Sequence, residues 1–171
     1  MRNKLGLMVL LIGLMGLLPQ PAYAVTLVGG CSFTLTSYPT VLYSVPTASA
    51  AQASRIVIDC GGVLTLFATK TWSIQYGAGG SGNQTARTLV HATDSSSKLN
   101  YSIRTTSSPS SSILGDGSGG TVTQSGTLQC VVAILSSCAS TTQDSFIHIP
   151  SSQFVRAGSY SDAMVITVTV N

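Results

Sequence analysis

Apolar and polar residues alternate along much of this chain, and the pattern is clearest over Ala157–Asn171. A Gly158-Ser159 turn leads into a run that sets Met164, Ile166, Val168 and Val170 on one face and Val165, Thr167 and Thr169 on the other. Period-two alternation of β-branched residues predicts a strand with one buried face. Comparable runs predict strands at Cys31–Thr36, Thr40–Val45, Arg55–Cys60, Trp72–Tyr76, Leu99–Thr105, Thr127–Leu135, Phe146–Ile149 and Ala163–Val170. Gly- and Ser-rich stretches separate them at 77–83, 107–112 and 115–120. Many short strands with such punctuation predict an all-β sandwich or barrel. A single helical turn is expected at Thr85–Val90, and Trp72 is expected in the core.

The first residues follow a different pattern. Arg2 and Lys4 precede an apolar run, Leu5–Leu18, that is short for a bilayer span. Pro19 and Pro21 interrupt it, and Ala22-Tyr23-Ala24 is a small-x-small cleavage sequence. Residues 1–24 are therefore expected to be a secretory signal peptide, and 25–171 the mature domain. Val25 rather than a cysteine follows the cleavage point, so no lipid anchor is expected. Nothing later in the chain resembles a transmembrane helix, so no membrane anchor is expected after cleavage.

Charge narrows the choice of partners. With Arg2 and Lys4 in the leader, six basic residues face five Asp in the mature chain, and the basic ones are scattered. That balance argues against nucleic acid as a partner. Ser, Thr, Gly, Asn and Gln must cover the surface of what reads as an exported protein.

Four cysteines in an exported chain favour disulfides, and three pairings are possible. Cys31 opens one predicted strand and Cys60 closes another, while Cys130 and Cys138 bracket a short apolar segment. Cys31–Cys60 and Cys130–Cys138 are the favoured pairs. His91 and His148 lie at no finger-like spacing from the thiols, so no metal site is expected.

Two glycine-rich motifs imitate chemistry. Gly115-Asp-Gly-Ser-Gly-Gly120 resembles the surroundings of a protease nucleophile, but Gly117 interrupts the match and Ser118 lacks a recognisable base. Gly77-Ala-Gly-Gly-Ser-Gly82 fits a dinucleotide-binding spacing, yet no amphipathic helix follows it. The hairpin-loop reading is preferred there. No catalytic residue and no cofactor are expected, and Asp116 and Asp162 are expected to set turns through Asx-type hydrogen bonds.

Five segments stand out when taken in order: Cys31-Ser-Phe, Trp72-Ser-Ile, Leu99-Asn-Tyr-Ser-Ile, Gly115-Asp-Gly-Ser-Gly-Gly-Thr121, and Ile149-Pro-Ser-Ser-Gln through Ala157-Gly-Ser-Tyr-Ser-Asp162 into the last strand. Together they resemble the spore coat protein U domain family, which includes subunits of the archaic, Csu-type chaperone–usher pili. The resemblance implies an immunoglobulin-like β-sandwich that lacks its final strand. A periplasmic chaperone, and later another pilus subunit delivered at an outer-membrane usher, would supply that strand. Met164, Ile166, Val168 and Val170 would then form the donor-strand groove or chaperone contact. The expected location is the cell surface, reached through the periplasm, or the medium, and the expected use is adhesion and biofilm formation. A secreted spore or envelope coat protein of the same family, outside any pilus, is the alternative. A secreted hydrolase using Ser118 is a third.

A donor segment needs roughly ten extended residues with alternating apolar anchors. Before Cys31 the expected mature chain offers only Val25-Thr-Leu-Val-Gly-Gly30, and a Gly pair makes a poor strand. The chain thus reads as able to receive a strand but ill equipped to give one, which suits the tip of a polymer. Val131, Val132, Ile134 and Leu135, between the second pair of cysteines, form the candidate adhesive loop, with a buried strand as the competing reading.

Overall fold

The structure is a computed structural model and describes residues 8–12, 23–26, 31–36, 41–43, 52–60, 68–131, 137–138 and 140–171. In chain order the strands are β1 (Met8–Ile12), β2 (Tyr23–Thr26), β3 (Ser32–Thr36), β4 (Val41–Tyr43), β5 (Gln52–Asp59), β6 (Ala68–Tyr76) and β7 (Arg87–His91). They continue as β8 (Asp94–Arg104), β9 (Gln124–Val131), β10 (Ser137–Cys138), β11 (Thr141–His148), β12 (Gly158–Ser161) and β13 (Met164–Val170). One 3-10 turn, Gly79–Ser81, is the sole helical piece among the described residues.

The strands build two sheets, ordered β1-β13-β6-β9-β10 and β2-β3-β5-β11-β8-β7-β12-β4. The fold is an all-β sandwich. Its ladders are antiparallel, and the pairing partners are mostly distant in sequence: β13 lies on β6, β11 on both β5 and β8. Burial explains the alternation read from the sequence. Ile56, Ile58, Ile74, Leu99, Ile103 and Leu114 are fully buried, each from a strand or a short bridge. Each such side chain contributes about 1.5–3 kcal/mol relative to exposure.

β8 ties the larger sheet together. Its first part pairs with β7, whereas Ser102–Arg104 pair with β11. Trp72 is buried on β6, directly opposite Gly126 of β9.

Two expectations are corrected. Thr85–Val90 holds no helical turn: Arg87–His91 is strand β7, with Arg87, Leu89 and His91 all buried. The charged Arg87 on the inward face disguised the alternation. The stretch 77–83 is not a hairpin loop either, because β6 and β7 belong to different sheets. It is a crossover between the two layers.

Candidate functional site

The last strand pairs on one side with β6, through Ile166↔Tyr76, Thr167↔Gln75, Val168↔Ile74, Thr169↔Ser73 and Val170↔Trp72. Hydrogen bonds at its two ends fix which residues face that neighbour. The amide of Gly77 donates to the Val165 carbonyl at 2.8 Å, and Asn171 exchanges bonds of 2.8 and 3.1 Å with Thr71. In an antiparallel ladder the N–H and C=O of one residue point the same way and those of the next point oppositely. Val165, Thr167, Thr169 and Asn171 therefore bond toward β6. Met164, Ile166 and Val168 direct their backbone groups to the outer edge, while their side chains are buried in the core. Val170 is half-buried against the same core.

β1 occupies that outer edge. It runs antiparallel in the register Met8↔Val168, Val9↔Thr167, Leu10↔Ile166, Leu11↔Val165 and Ile12↔Met164. Among the described residues no other strand pairs with this side of β13, so β1 alone separates it from an open edge.

The beginning of β13 is tied into a polar end of the sandwich. One oxygen of Asp162 accepts the Gly80 amide at 2.8 Å, and the other accepts the Tyr101 hydroxyl at 2.7 Å. A Cβ on Gly79, whose φ is +65°, would collide with this carboxylate, so the turn needs glycine twice over. Asp162 thus joins three distant segments instead of setting the local Asx turn expected of it. Asp116 does set such a turn, accepting the Ser118 amide at 2.8 Å and its hydroxyl at 2.6 Å. Those bonds hold its carboxyl below the usual carboxylate range.

Arg87, fully buried, anchors this end from within. Its guanidinium donates to the carbonyls of Gly77 (2.9 Å), Gln84 (2.7 Å), Tyr76 (3.1 Å) and Leu114 (2.9 Å). The Gln84 side-chain oxygen in turn accepts from the Asp116 amide at 2.9 Å and the Thr121 hydroxyl at 3.1 Å. On β6 burial pushes the Tyr76 hydroxyl up to about 12, and this hydroxyl donates a hydrogen bond to the Gln124 side-chain oxygen at 2.8 Å. A cleft of about 340 Å³ opens between the two loops, lined by Asn83, Gln84, Thr85, Asp116, Ser118 and Thr121.

The cysteines lie at the other end. Cys31 and Cys60 are joined in a disulfide between the ends of β3 and β5. Cys130 is disulfide-bonded, and strand pairing sets Cys138 opposite it. Thr141, which pairs with Ile58, follows shortly after Cys138, so the cysteine-bearing ends of both sheets are neighbours.

The family model described as Spore Coat Protein U domain matches residues 20–167. The chain belongs to that family. No curated protein and no solved structure is detectably similar to it. Within this Spore Coat Protein U domain no helix of the described residues is long and apolar enough to cross a membrane.

The sequence placed Met164, Ile166, Val168 and Val170 on one face, and the structure puts that face toward the core. It did not reveal that their backbone groups also form the outer edge on which β1 lies, which depends on where β6 lies. Val132, Ile134 and Leu135 of the candidate adhesive loop lie outside the described residues; Val131 is described only as the backbone end of β9, opposite Ser137. Ser118 keeps its hydroxyl on Asp116, while His91 sits on β7 near the Ala157 carbonyl and His148 on β11. Arg87 is the residue that sequence reasoning missed; four carbonyl partners from three segments left no local signal.

Proposed function

We propose that this Spore Coat Protein U domain is an exported structural subunit whose β13 edge is completed by a strand from another molecule, in a surface fibre of the chaperone–usher kind. The observation that carries the reading is the seat of β1. An apolar Met-Val-Leu-Leu-Ile segment lies along β13 in a five-residue antiparallel register. That segment falls within the residues read as a signal peptide. With residues 1–24 removed, β1 goes with them and the outer groups of Met164, Ile166 and Val168 are left without a strand. An exposed edge of this sort recruits another chain. A periplasmic chaperone would cover it first, and a partner subunit delivered at the outer-membrane usher would replace the chaperone.

The tip position is part of the same proposal. With residues 1–24 removed, Val25 and Thr26 are what remains of β2, paired with Phe33 and Ser32 of the same domain, so the first two mature residues are engaged at home rather than extended as a donor. Attachment and biofilm formation follow from a tip role, with the segment between Cys130 and Cys138 as the contact surface. The reading needs no catalytic step.

The test is thermal unfolding of residues 25–171 recovered from a periplasm without added chaperone. Aggregation, or a monomer melting near growth temperature and stabilised by an added donor peptide, is the expected result. A high, reversible, monomeric transition would mean the sheet closes without help, and would favour a coat protein of the same family outside any pilus.

A further inference from the structure

Antiparallel pairing carries a direction. β1 begins opposite Val168 and finishes opposite Met164. A strand donated in the same sense by an N-terminal extension of the next subunit leaves the groove past Met164, so the body of the donating molecule lies beyond that end of β13. What lies there is the polar end: Asp162 two residues before Met164, the Gly79–Ser81 turn bonded to it, and the cleft between the 82–85 and 116–121 loops. Asn171, Cys130 and Cys138 lie at the opposite end, since β13 runs away from Asp162 and Val170 pairs with Trp72, four residues from Ala68 and its partner Cys130.

We infer that the exposed cleft residues Asn83, Thr85, Asp116 and Ser118 dock the body of the strand-donating molecule. The inference rests on the donor-strand reading above and adds which end of the domain meets the donor. The chemistry specifies the partner. The surface offers an ionised carboxylate, an amide and hydroxyls, with no large apolar group in the lining, so it fits a face rich in N–H donors or a basic side chain opposite Asp116. It is also built in advance. Arg87 fastens Gly77 and Gln84 from inside, and Gln84 fastens the facing loop through Asp116 and Thr121. A preorganised surface loses little entropy when a partner settles on it. A small contact of this type sets the angle between neighbouring domains, while the strand supplies most of the affinity.

The test is photocrosslinking in the assembled fibre, with p-benzoylphenylalanine placed singly at Ser118, Thr85, Thr167 or Ser140. Thr167 lies on β13 and reads donor occupancy; Ser140 lies beside the cysteines at the far end. Crosslinks from Thr167 and from Ser118 or Thr85 to one and the same polypeptide, with none to it from Ser140, are expected. Thr85 covers the case in which replacing Ser118 disturbs the Asp116 turn. Crosslinking from Thr167 without any from Ser118 or Thr85 would overturn the docking surface and leave the donor strand standing. A crosslink from Ser140 to the donor would reverse the assigned end. If Thr167 itself captures nothing, the donor-strand reading fails and the docking surface fails with it.

Discussion

Trp72 and Gly126 face each other across β6 and β9, and the indole lies over the place where a side chain on residue 126 would begin. A Cβ there would stand 2.6 Å from the Trp72 ring, closer than any packed contact allows. The pair also lies one strand away from β13, since Trp72 is the partner of Val170. Gly126→Val therefore pushes the ring into the layer that supports β13. The expected loss is about 1–3 kcal/mol, the usual cost of overpacking a core. Urea denaturation measures it; an unchanged midpoint would mean the ring turns aside freely.

At Val168 the side chain and the backbone play separable parts. The side chain is buried, while the N–H points to the outer edge. Val168→Ala is expected to cost roughly 2 kcal/mol and to leave an apolar donor peptide bound, because the edge bond survives. Val168→Pro removes the donor N–H as well and is expected to abolish peptide binding. Fluorescence titration of the two variants separates these effects. Equal affinities would show that the edge bonds do not carry recognition.

Replacing Arg87 should loosen the whole polar end. A lysine cannot reach four carbonyls from one nitrogen, so Arg87→Lys leaves buried acceptors unpaired. The expected cost is about 2–4 kcal/mol by chemical denaturation, with faster amide exchange at Gly80 and Asp116. Exchange that stays slow at both amides would show that other contacts hold the loops.

Acid should weaken the fold before its carboxylates titrate. Burial, and then the neighbouring Arg104 cation, hold His148 below its ordinary value of 6.5. The unfolded chain therefore takes up a proton first as pH falls. Stability from this residue is complete above about pH 7 and declines as the pH drops through 6.5 toward the lowered folded value. His148→Gln should flatten that part of the profile, measured as urea midpoint against pH. A slope that persists in the variant would place its origin elsewhere.

Reduction tests the stapled end. Cys31 and Cys60 are 29 residues apart, and closing a loop of that size stabilises a domain by about 3–4 kcal/mol on the chain-entropy account. Unfolding with and without reductant should differ by at least that order, because reduction also opens the bond of Cys130. Peptide mapping of the unreduced protein is expected to recover Cys130 linked to Cys138, and a different partner for either would overturn the pairing favoured from their spacing.

Period-two alternation was enough to locate β3, β5, β6, β11 and β13, because a strand with one buried face writes its geometry directly into residue order. The Cys31–Cys60 pairing was equally legible. β7 was not, since its inward positions include Arg87 and His91, which read as polar until their distant carbonyl partners are known. Asp162 likewise looked local and is not: its two oxygens hold Gly80 and Tyr101, brought together only when the sheets pack. The outer edge of β13 lies deepest in the tertiary structure. Local sequence marks Ile166 and Val168 as inward-facing, but which side of β13 is its outer edge depends on β6 taking the other side, a choice made by contacts nearly a hundred residues apart in the chain.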